Sequence, residues 1–236
     1  MNNVWVIAHR GGGGLFRENT LSAFQQAELL GVDMVECDIH ASQDGQLMVI
    51  HDATLERTGG NPMRVDQLTA AALKKIDVGD GQGVPTLPEL LETIAIPLVV
   101  EIKTPAVMPG LISLLRHNPG YLTRIVPISF MHDTIKALRD RFPMLEAGVL
   151  LVGRPVDMKS IADAAHVRLL SLYYELVDER LVSEMHQHGI LVSVWTPNTR
   201  KDIAAAMNIG VDGITSDRPD WVLEAVQRAP RGDTLG

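Results

Sequence analysis

Short apolar runs recur along the chain, and the segments between them carry apolar residues at helical spacing. The runs are rich in β-branched residues and nearly continuous in apolar character, which is typical of strands buried on both faces. The predicted strands are Val4–Ala8, Met34–Asp38, Pro97–Ile102, Ile125–Ser129, Ala147–Val152, Leu169–Leu172, Leu191–Trp195 and Gly213–Thr215.

The segments between these strands carry start and stop signals of helices. Asn19 precedes one helical run, residues 86–89 have the form of a capping box, and Asp178 opens another helix. Gly31 and Gly210 end two helices. Strict alternation of strand and helix requires right-handed crossovers and a parallel sheet. Eight such units in a chain of 236 residues fit a closed barrel better than an open sheet, so we predict an α/β protein with a (β/α)₈ TIM-barrel fold.

One irregularity interrupts the alternation after the second strand. About 45 residues separate that strand from its helix, beginning with the hairpin signal Asp44-Gly45 and the strand-like run Leu47–Ile50. We predict a small insertion over residues 53–84 that acts as a lid or specificity element, with a helix near Leu68–Ile76. The insertion is mostly polar, and Met63 and Val65 look isolated within it. Because no linker interrupts the chain, we predict one domain over residues 1–236.

Composition narrows the function classes. The hydrophobic fraction of 46% is enough for a packed core and excludes a disordered chain. The 29 acidic residues outnumber the 21 basic ones, which argues against nucleic acid or an anionic membrane as a partner. A bound divalent cation would still admit an anionic substrate. The single cysteine, Cys37, excludes an internal disulfide and a cysteine-based zinc site.

No feature of the sequence indicates a membrane. The first residues lack the basic region of a signal peptide, and no uncharged run reaches the roughly 18 apolar residues of a membrane span. We therefore expect a cytoplasmic protein that acts on a small molecule, without stable membrane association. The sequence is also compatible with a homodimer.

Three carboxylates lie near the carboxyl ends of two successive predicted strands. Side chains alternate along a strand, so Glu36 and Asp38 face the same way, as do Glu101 and Lys103. His40 shares the face of Glu36 and Asp38, where a solvated position is the simpler interpretation. Three carboxylates at one barrel mouth need a cation to remain ionised together, and oxygen ligands select a hard ion. The sequence predicts one divalent cation, Mg²⁺ or Ca²⁺, held by Glu36, Asp38 and Glu101.

Two histidines and two cationic residues accompany these carboxylates. His9 and His51 directly follow apolar strand runs, and as a pair beside a carboxylate cluster they are candidates for general acid and base. Arg10 and Lys103 suit the binding of a phosphoryl oxygen. The sequence leaves open which histidine is the acid.

The motifs in their order along the chain resemble those of the glycerophosphodiester phosphodiesterase family. The resemblance covers nearly the whole chain and rests on His9-Arg10-Gly11, Glu18-Asn19-Thr20-Leu21-Ser22-Ala23-Phe24, Glu36-Cys37-Asp38, Asp44-Gly45, His51-Asp52, Leu55-Glu56-Arg57-Thr58, Pro85-Thr86-Leu87, Glu101-Ile102-Lys103, Ser129-Phe130, Val194-Trp195-Thr196 and the run from Gly210 to Pro219.

The resemblance implies a (β/α)₈ barrel with an insertion after the second strand, and a cation-dependent hydrolysis of glycerophosphodiesters to sn-glycerol 3-phosphate and an alcohol. It implies that Glu36, Asp38 and Glu101 are the metal ligands. It also implies that His9 and His51 are the acid and base, and that Arg10 and Lys103 bind the phosphate. Trp195 ends the seventh predicted strand, and we expect its ring to pack on the glycerol carbons.

Departures from the family pattern are confined to the rim of the predicted site. Arg17 stands where proline commonly precedes Glu-Asn-Thr, and Thr58 is followed by Gly59 where a second threonine is common. Three alternatives remain at this point: a lysophospholipase D-like enzyme, a phosphoinositide-type phosphodiesterase, and a non-catalytic phosphate-binding barrel. Whether water or the glycerol 2-hydroxyl attacks phosphorus is also open.

Overall fold

A closed barrel of parallel strands, ringed by helices, makes up most of the computed structural model, which describes residues 4–228. In chain order the strands are β1 (Trp5–Ala8), β2 (Met34–Ala41), β3 (Leu47–Val49), β4 (Thr54–Leu55), β5 (Asn61–Arg64), β6 (Leu98–Ile102), β7 (Ile125–Ser129), β8 (Gly148–Leu151), β9 (Leu169–Tyr173), β10 (Leu191–Trp195) and β11 (Gly213–Ser216). The helices are α1 (Leu21–Leu30), α2 (Glu56–Gly59), α3 (Ala70–Leu73), α4 (Leu87–Thr93), α5 (Met108–His117), α6 (His132–Arg141), α7 (Met158–Ala165), α8 (Glu179–Gln187), α9 (Arg200–Asn208) and α10 (Pro219–Arg228).

The first strand closes the barrel. β1 pairs in parallel with β11 on one side and with β2 on the other, so the order around the barrel is β1, β2, β6, β7, β8, β9, β10, β11. All eight predicted strands and the TIM-barrel fold are confirmed. The prediction of one domain over residues 1–236 extends beyond the described residues and stays a prediction.

The helix caps confirm most of the predicted boundaries and correct one. Thr86 and Glu89 form the predicted capping box at the start of α4. Asn19 is not the N-cap of α1, because the side chain of Thr20 accepts the backbone N–H of Ala23 instead. Asn19 is buried, with a φ of +55°, and its side chain points into the barrel mouth, where it donates to Asp38.

The insertion after β2 has a small apolar core of its own. β3 pairs antiparallel with β2. β4 and β5 form a separate hairpin, and α2 and α3 complete the insertion. The expectation that Val65 is isolated is wrong: it is 1% exposed and belongs to a buried cluster separate from the main core. That cluster consists of Met48, Ile50, Leu55, Val65, Ala70, Leu73, Val78 and Val84. The helix predicted at Leu68–Ile76 is present as α3 but is shorter, since it spans only Ala70–Leu73.

An apolar layer inside the barrel forms the floor beneath the polar strand ends. Ile7, Val99, Ile128 and Leu150 pack together there and are nearly inaccessible to solvent. Ile7, Val99 and Ile128 also line a cavity of about 450 Å³ at the amino ends of the strands, so this layer separates that cavity from the polar strand ends. No helix within residues 4–228 is long and apolar enough to cross a membrane.

Candidate active site

The three predicted carboxylates meet at the carboxyl end of the barrel. Glu36 and Asp38 alternate along β2, and Asp38 pairs in register with Glu101 of the neighbouring β6. One oxygen of each carboxylate lies within 4.8 Å of an oxygen of the other two. Asp38 is fully buried and Glu36 is 3% exposed. The geometry therefore concentrates negative charge where water screens it poorly.

This crowding separates the pKa values of the three groups. Burial, and then the charge of Asp38, raise the pKa of Glu36 to about 8. The same two causes raise the pKa of Glu101. Burial also acts against ionised Asp38, but Lys103 and Arg10 outweigh it and lower the pKa of Asp38. Two carboxyl groups of this cluster thus hold their protons more tightly than ordinary acids do.

Two cationic side chains approach the cluster from opposite sides of Asp38. Arg10 Nε lies 3.3 Å from Asp38 Oδ2, and Lys103 Nζ lies 3.2 Å from Asp38 Oδ1 and 2.8 Å from Glu101 Oε1. The backbone N–H of Arg10 also donates to Glu36 Oε2 at 2.9 Å. Arg10 has a φ of +52°, an uncommon conformation for a residue with a side chain, and it belongs to the short turn that follows β1.

His9 is oriented by a carboxylate that sequence reasoning did not single out. Its Nδ1–H donates to Asp217 Oδ1 at 2.6 Å, and its Nε2 lies 3.9 Å from Glu36 Oε2. Asn198 donates its side-chain N–H to the other oxygen of Asp217. Burial lowers the pKa of His9, but the hydrogen bond with Asp217 and the charge of Glu36 outweigh it, so the pKa is raised.

His51 has a matching arrangement on the other side of the mouth. Its Nδ1–H donates to Asp52 Oδ1 at 2.5 Å. The backbone carbonyl of His51 accepts a hydrogen bond from Nε2 of His40 at 3.0 Å. His40 is buried, so its expected solvated position is wrong: it supports the loop that carries His51. In both His9 and His51, Nε2 is the ring nitrogen left to exchange a proton.

Arg57 of the insertion links the two sides of the mouth. Its guanidinium forms a bidentate pair with Glu18, at 2.6 and 2.7 Å, and donates from Nε to Asp52 Oδ2 at 2.6 Å. Glu18 also accepts from Arg10 at 3.2 Å. A bidentate arginine–carboxylate pair is directional as well as strong, so α2 is held in a fixed orientation over the mouth.

Arg17, the residue that departs from the family pattern, forms a second tether to the insertion. Its guanidinium donates to the backbone carbonyls of Val78 and Thr58, at 2.5 and 2.9 Å. Proline at this position has no side-chain donor, so this departure gives the chain a contact that the usual residue cannot make.

The side of the barrel mouth opposite the acidic cluster is apolar. The predicted residues His9, Arg10, Glu36, His51, Glu101 and Lys103 line one half of a cavity of about 130 Å³. Phe130 and Trp195 line the other half, above Ile128 and Leu150 of the barrel floor. Trp195 donates its indole N–H to the carbonyl of Ser171 at 3.1 Å, which fixes the ring plane. The cavity is amphipathic, with charge on one wall and carbon on the other.

The residues of the acidic cluster fit a hard divalent cation. Oδ1 of Asp38 is buried and makes no hydrogen bond of good geometry, although Lys103 Nζ lies 3.2 Å away, so this oxygen can still accept a ligand bond to a cation. All three groups of the cluster offer oxygen, the donor that Mg²⁺ and Ca²⁺ prefer. The donor set is therefore that of a hard-metal site.

The predicted residues come together, and sequence reasoning missed several of their partners. It gave no role to Asp52, Arg57, Asn198 or Asp217. Asp217 carried the clearest available signal, because it is an acidic residue directly after the last strand, at the same barrel end as His9.

A family comparison agrees with this geometry. The model of the glycerophosphoryl diester phosphodiesterase family matches residues 9–221, from the first candidate histidine to the start of the last helix. The chain belongs to this family. A glycerophosphodiester phosphodiesterase of Caldanaerobacter subterraneus subsp. tengcongensis is 31% identical over 238 residues, covering 94% of this chain and 98% of that protein.

Two further relatives of the family bear on the fold and the range of activities. The lysophospholipase D GDPD1 of Rattus norvegicus is 38% identical over 265 residues, covering 92% of this chain and 84% of that protein. The crystal structure of a glycerophosphoryl diester phosphodiesterase from Silicibacter pomeroyi superimposes with a TM-score of 0.87 at 26% identity, covering 96% of this chain and 94% of that one.

Proposed function

We propose that this member of the family hydrolyses glycerophosphodiesters to sn-glycerol 3-phosphate and an alcohol, with His9 and His51 as the acid and base. One observation carries the proposal: two histidines, each oriented at Nδ1 by a carboxylate, face one cavity with two cationic side chains and an acidic cluster. Orientation at Nδ1 fixes the tautomer that presents Nε2 to the cavity. One Nε2 accepts the proton of the attacking hydroxyl, and the other donates a proton to the departing alkoxide.

Glu36, Asp38 and Glu101 would hold one divalent cation, either Mg²⁺ or Ca²⁺. A bound cation polarises the phosphoryl oxygen and lowers the pKa of an attacking hydroxyl. Arg10 and Lys103 place two further positive charges at the same mouth, where they can bind the non-bridging phosphate oxygens. The apolar wall then faces the carbon atoms of the glycerol group.

A head-group panel tests this function directly. Glycerophosphocholine, glycerophosphoethanolamine and glycerophosphoglycerol are incubated with the protein, and sn-glycerol 3-phosphate is measured with and without chelator. We expect cation-dependent release of sn-glycerol 3-phosphate from at least one ester. Release of a free alcohol from lysophospholipids alone would instead favour the activity named for the rat relative.

Trp195→Ala is expected to raise KM by a similar factor for every glycerophosphodiester and to leave kcat nearly unchanged. The indole lines the apolar half of the cavity, so its loss removes binding that ground state and transition state share. Steady-state kinetics on the three esters, with a melting curve of the variant, check this. A lower Tm with KM unchanged for all three esters would show that Trp195 serves packing only.

Asp217→Asn is expected to lower kcat by about 10-fold, which is less than the loss of about 10²-fold or more expected from removing the His9 ring. The amide can no longer accept from Nδ1–H with a full charge, so Nε2 of His9 becomes a weaker base. The measurement is kcat and KM against pH. A purely structural role predicts an unchanged pH profile with a reduced Tm. Asp220→Asn is the matched control, because Asp220 pairs with Arg218 and touches no histidine.

A further inference from the structure

A row of aromatic side chains leads out of the catalytic cavity on the side opposite the insertion. Phe130 and Trp195 line the cavity, with ring centroids 5.7 Å apart in an edge-to-face arrangement. Tyr173 lies beside Trp195 because the two residues are in register on β9 and β10, and their centroids are 5.6 Å apart. Tyr174 follows at 5.2 Å from Tyr173. We call these four residues the aromatic wall.

The outer part of the aromatic wall carries negative charge that no cation neutralises. The hydroxyl of Tyr174 donates to Glu175 Oε1 at 3.1 Å. Burial, followed by the charge of Glu175, a hydrogen bond with Glu175 and the charge of Asp202, raises the pKa of Tyr173. Within residues 4–228, neither carboxylate has a lysine, arginine or histidine nitrogen within 4.0 Å. Arg154, which reaches the neighbouring carbonyl of Leu176, is itself paired with Asp178.

The insertion side of the cavity has the opposite character. Its acidic residues, Glu18 and Asp52, are already paired with Arg57, and each has a second partner in Arg10 or His51. A positively charged group beside these two carboxylates would also meet the guanidinium groups of Arg10 and Arg57. The carboxylate Glu175 at the aromatic rim has no such cationic partner among residues 4–228, so the two rims differ in the charge that they present to a head group.

We propose that Tyr173 and Tyr174, with Glu175 hydrogen-bonded to Tyr174, form a subsite for the trimethylammonium head group of a choline ester. The proposal rests on the phosphodiesterase function proposed above and adds a preference among its substrates. Aromatic faces attract a quaternary ammonium through the ring quadrupole, and nearby carboxylates strengthen the attraction without a hydrogen bond that this cation cannot donate. The trimethylammonium group thus lies at the outer part of the aromatic wall, against Tyr173 and Tyr174. The length of the insertion had instead suggested that the insertion determines which head group is preferred.

The wild-type protein is first compared on two esters that differ only in charge. One is glycerophosphocholine, and the other is its 3,3-dimethylbutyl analogue, in which carbon replaces the ammonium nitrogen. The shapes are the same, so a difference in kcat/KM reports the charge alone. We expect glycerophosphocholine to be preferred by about 3- to 30-fold. Equal kcat/KM values would overturn the subsite.

Variants then assign the preference to particular residues. Tyr173→Leu and Tyr174→Leu remove a ring face and are each expected to reduce the preference at least about 3-fold, whereas Tyr173→Phe keeps the face and the preference. Glu175→Gln is expected to reduce the preference, because it lowers kcat/KM on the charged ester more than on the uncharged analogue. Tyr121→Leu is the matched control, because Tyr121 lies in the turn before β7 and outside the cavity. It should leave the preference unchanged.

The outcomes separate this subsite from the function on which it depends. Failure to release sn-glycerol 3-phosphate from any ester overturns both. Release with equal rates on the charged and uncharged esters overturns the subsite and leaves the function in place. Melting curves accompany each variant, and a preference that survives in folded Tyr173→Leu and Tyr174→Leu proteins also rejects the subsite.

Discussion

Replacing His9 or His51 by alanine is expected to lower kcat by about 10²- to 10⁴-fold while the protein remains folded. Each ring is oriented by a carboxylate at Nδ1 and presents Nε2 to the cavity, so each variant loses one proton transfer. The measurement is kcat on the best glycerophosphodiester of the panel, with circular dichroism and a melting curve for each variant. The double variant should lose little more than either single variant, because the two proton transfers serve one reaction.

His188→Ala is the matched control for both histidines. His188 is an exposed residue at the end of α8, and it lies outside the candidate site. It should keep wild-type kinetics. A substrate with a good leaving group, such as a p-nitrophenyl ester, also distinguishes the two roles, because it restores only the variant that has lost the acid. An active double variant would falsify the proposed acid–base mechanism.

Removing divalent cations is expected to lower activity by about 10²-fold or more, and adding back Mg²⁺ or Ca²⁺ should restore it. The cation should also stabilise the protein, because it relieves the repulsion among Glu36, Asp38 and Glu101, which burial makes costly. At a cation concentration of about 100 Kd, binding contributes about 2.7 kcal/mol to the free energy of unfolding. That corresponds to a rise in Tm of about 5–10 °C for a chain of this size.

The change in Tm tests cation binding independently of catalysis. Asp38→Asn should lose both the activation and the rise in Tm, whereas Asp163→Asn should keep both. Asp163 is an exposed carboxylate on α7, paired with a lysine of the same helix. Full activity in excess chelator, with no metal in the purified protein, would contradict the predicted cation site.

The barrel could be predicted because its strands are continuous in sequence and buried on both faces. The acidic cluster could be predicted for a related reason. Alternation along one strand places Glu36 and Asp38 on the same face, and the shared direction of parallel strands brings Glu101 beside them. These inferences need only local spacing and the topology of the sheet. They do not require knowledge of any particular side-chain contact.

The missed features depend on contacts between distant parts of the chain. Asp217 orients His9 across 208 positions, so its strand-end position marks it as a candidate, but no local spacing pairs it with His9 in particular. Val65 was expected to be isolated because its neighbours in sequence are polar, yet the buried cluster to which it belongs draws residues from β3 and from along the whole insertion. Thr20 replaces Asn19 as the helix cap because Asn19 is held by Asp38 in the barrel mouth.

The separate core of the insertion has a consequence for the diversification of this enzyme. The apolar cluster around Val65 is distinct from the barrel core, and Arg17 and Arg57 bind the insertion to the mouth through polar contacts. Substitutions within that cluster can therefore be compensated within the insertion, because distant sites with no shared partners vary independently. The insertion is thus an exchangeable module. A chimera that takes the loop of a relative needs to keep an arginine at position 57 and the backbone carbonyls that Arg17 contacts. It also needs the contacts of Lys74 with Glu89 and of Ala70 with Asp44, which join the insertion to the barrel.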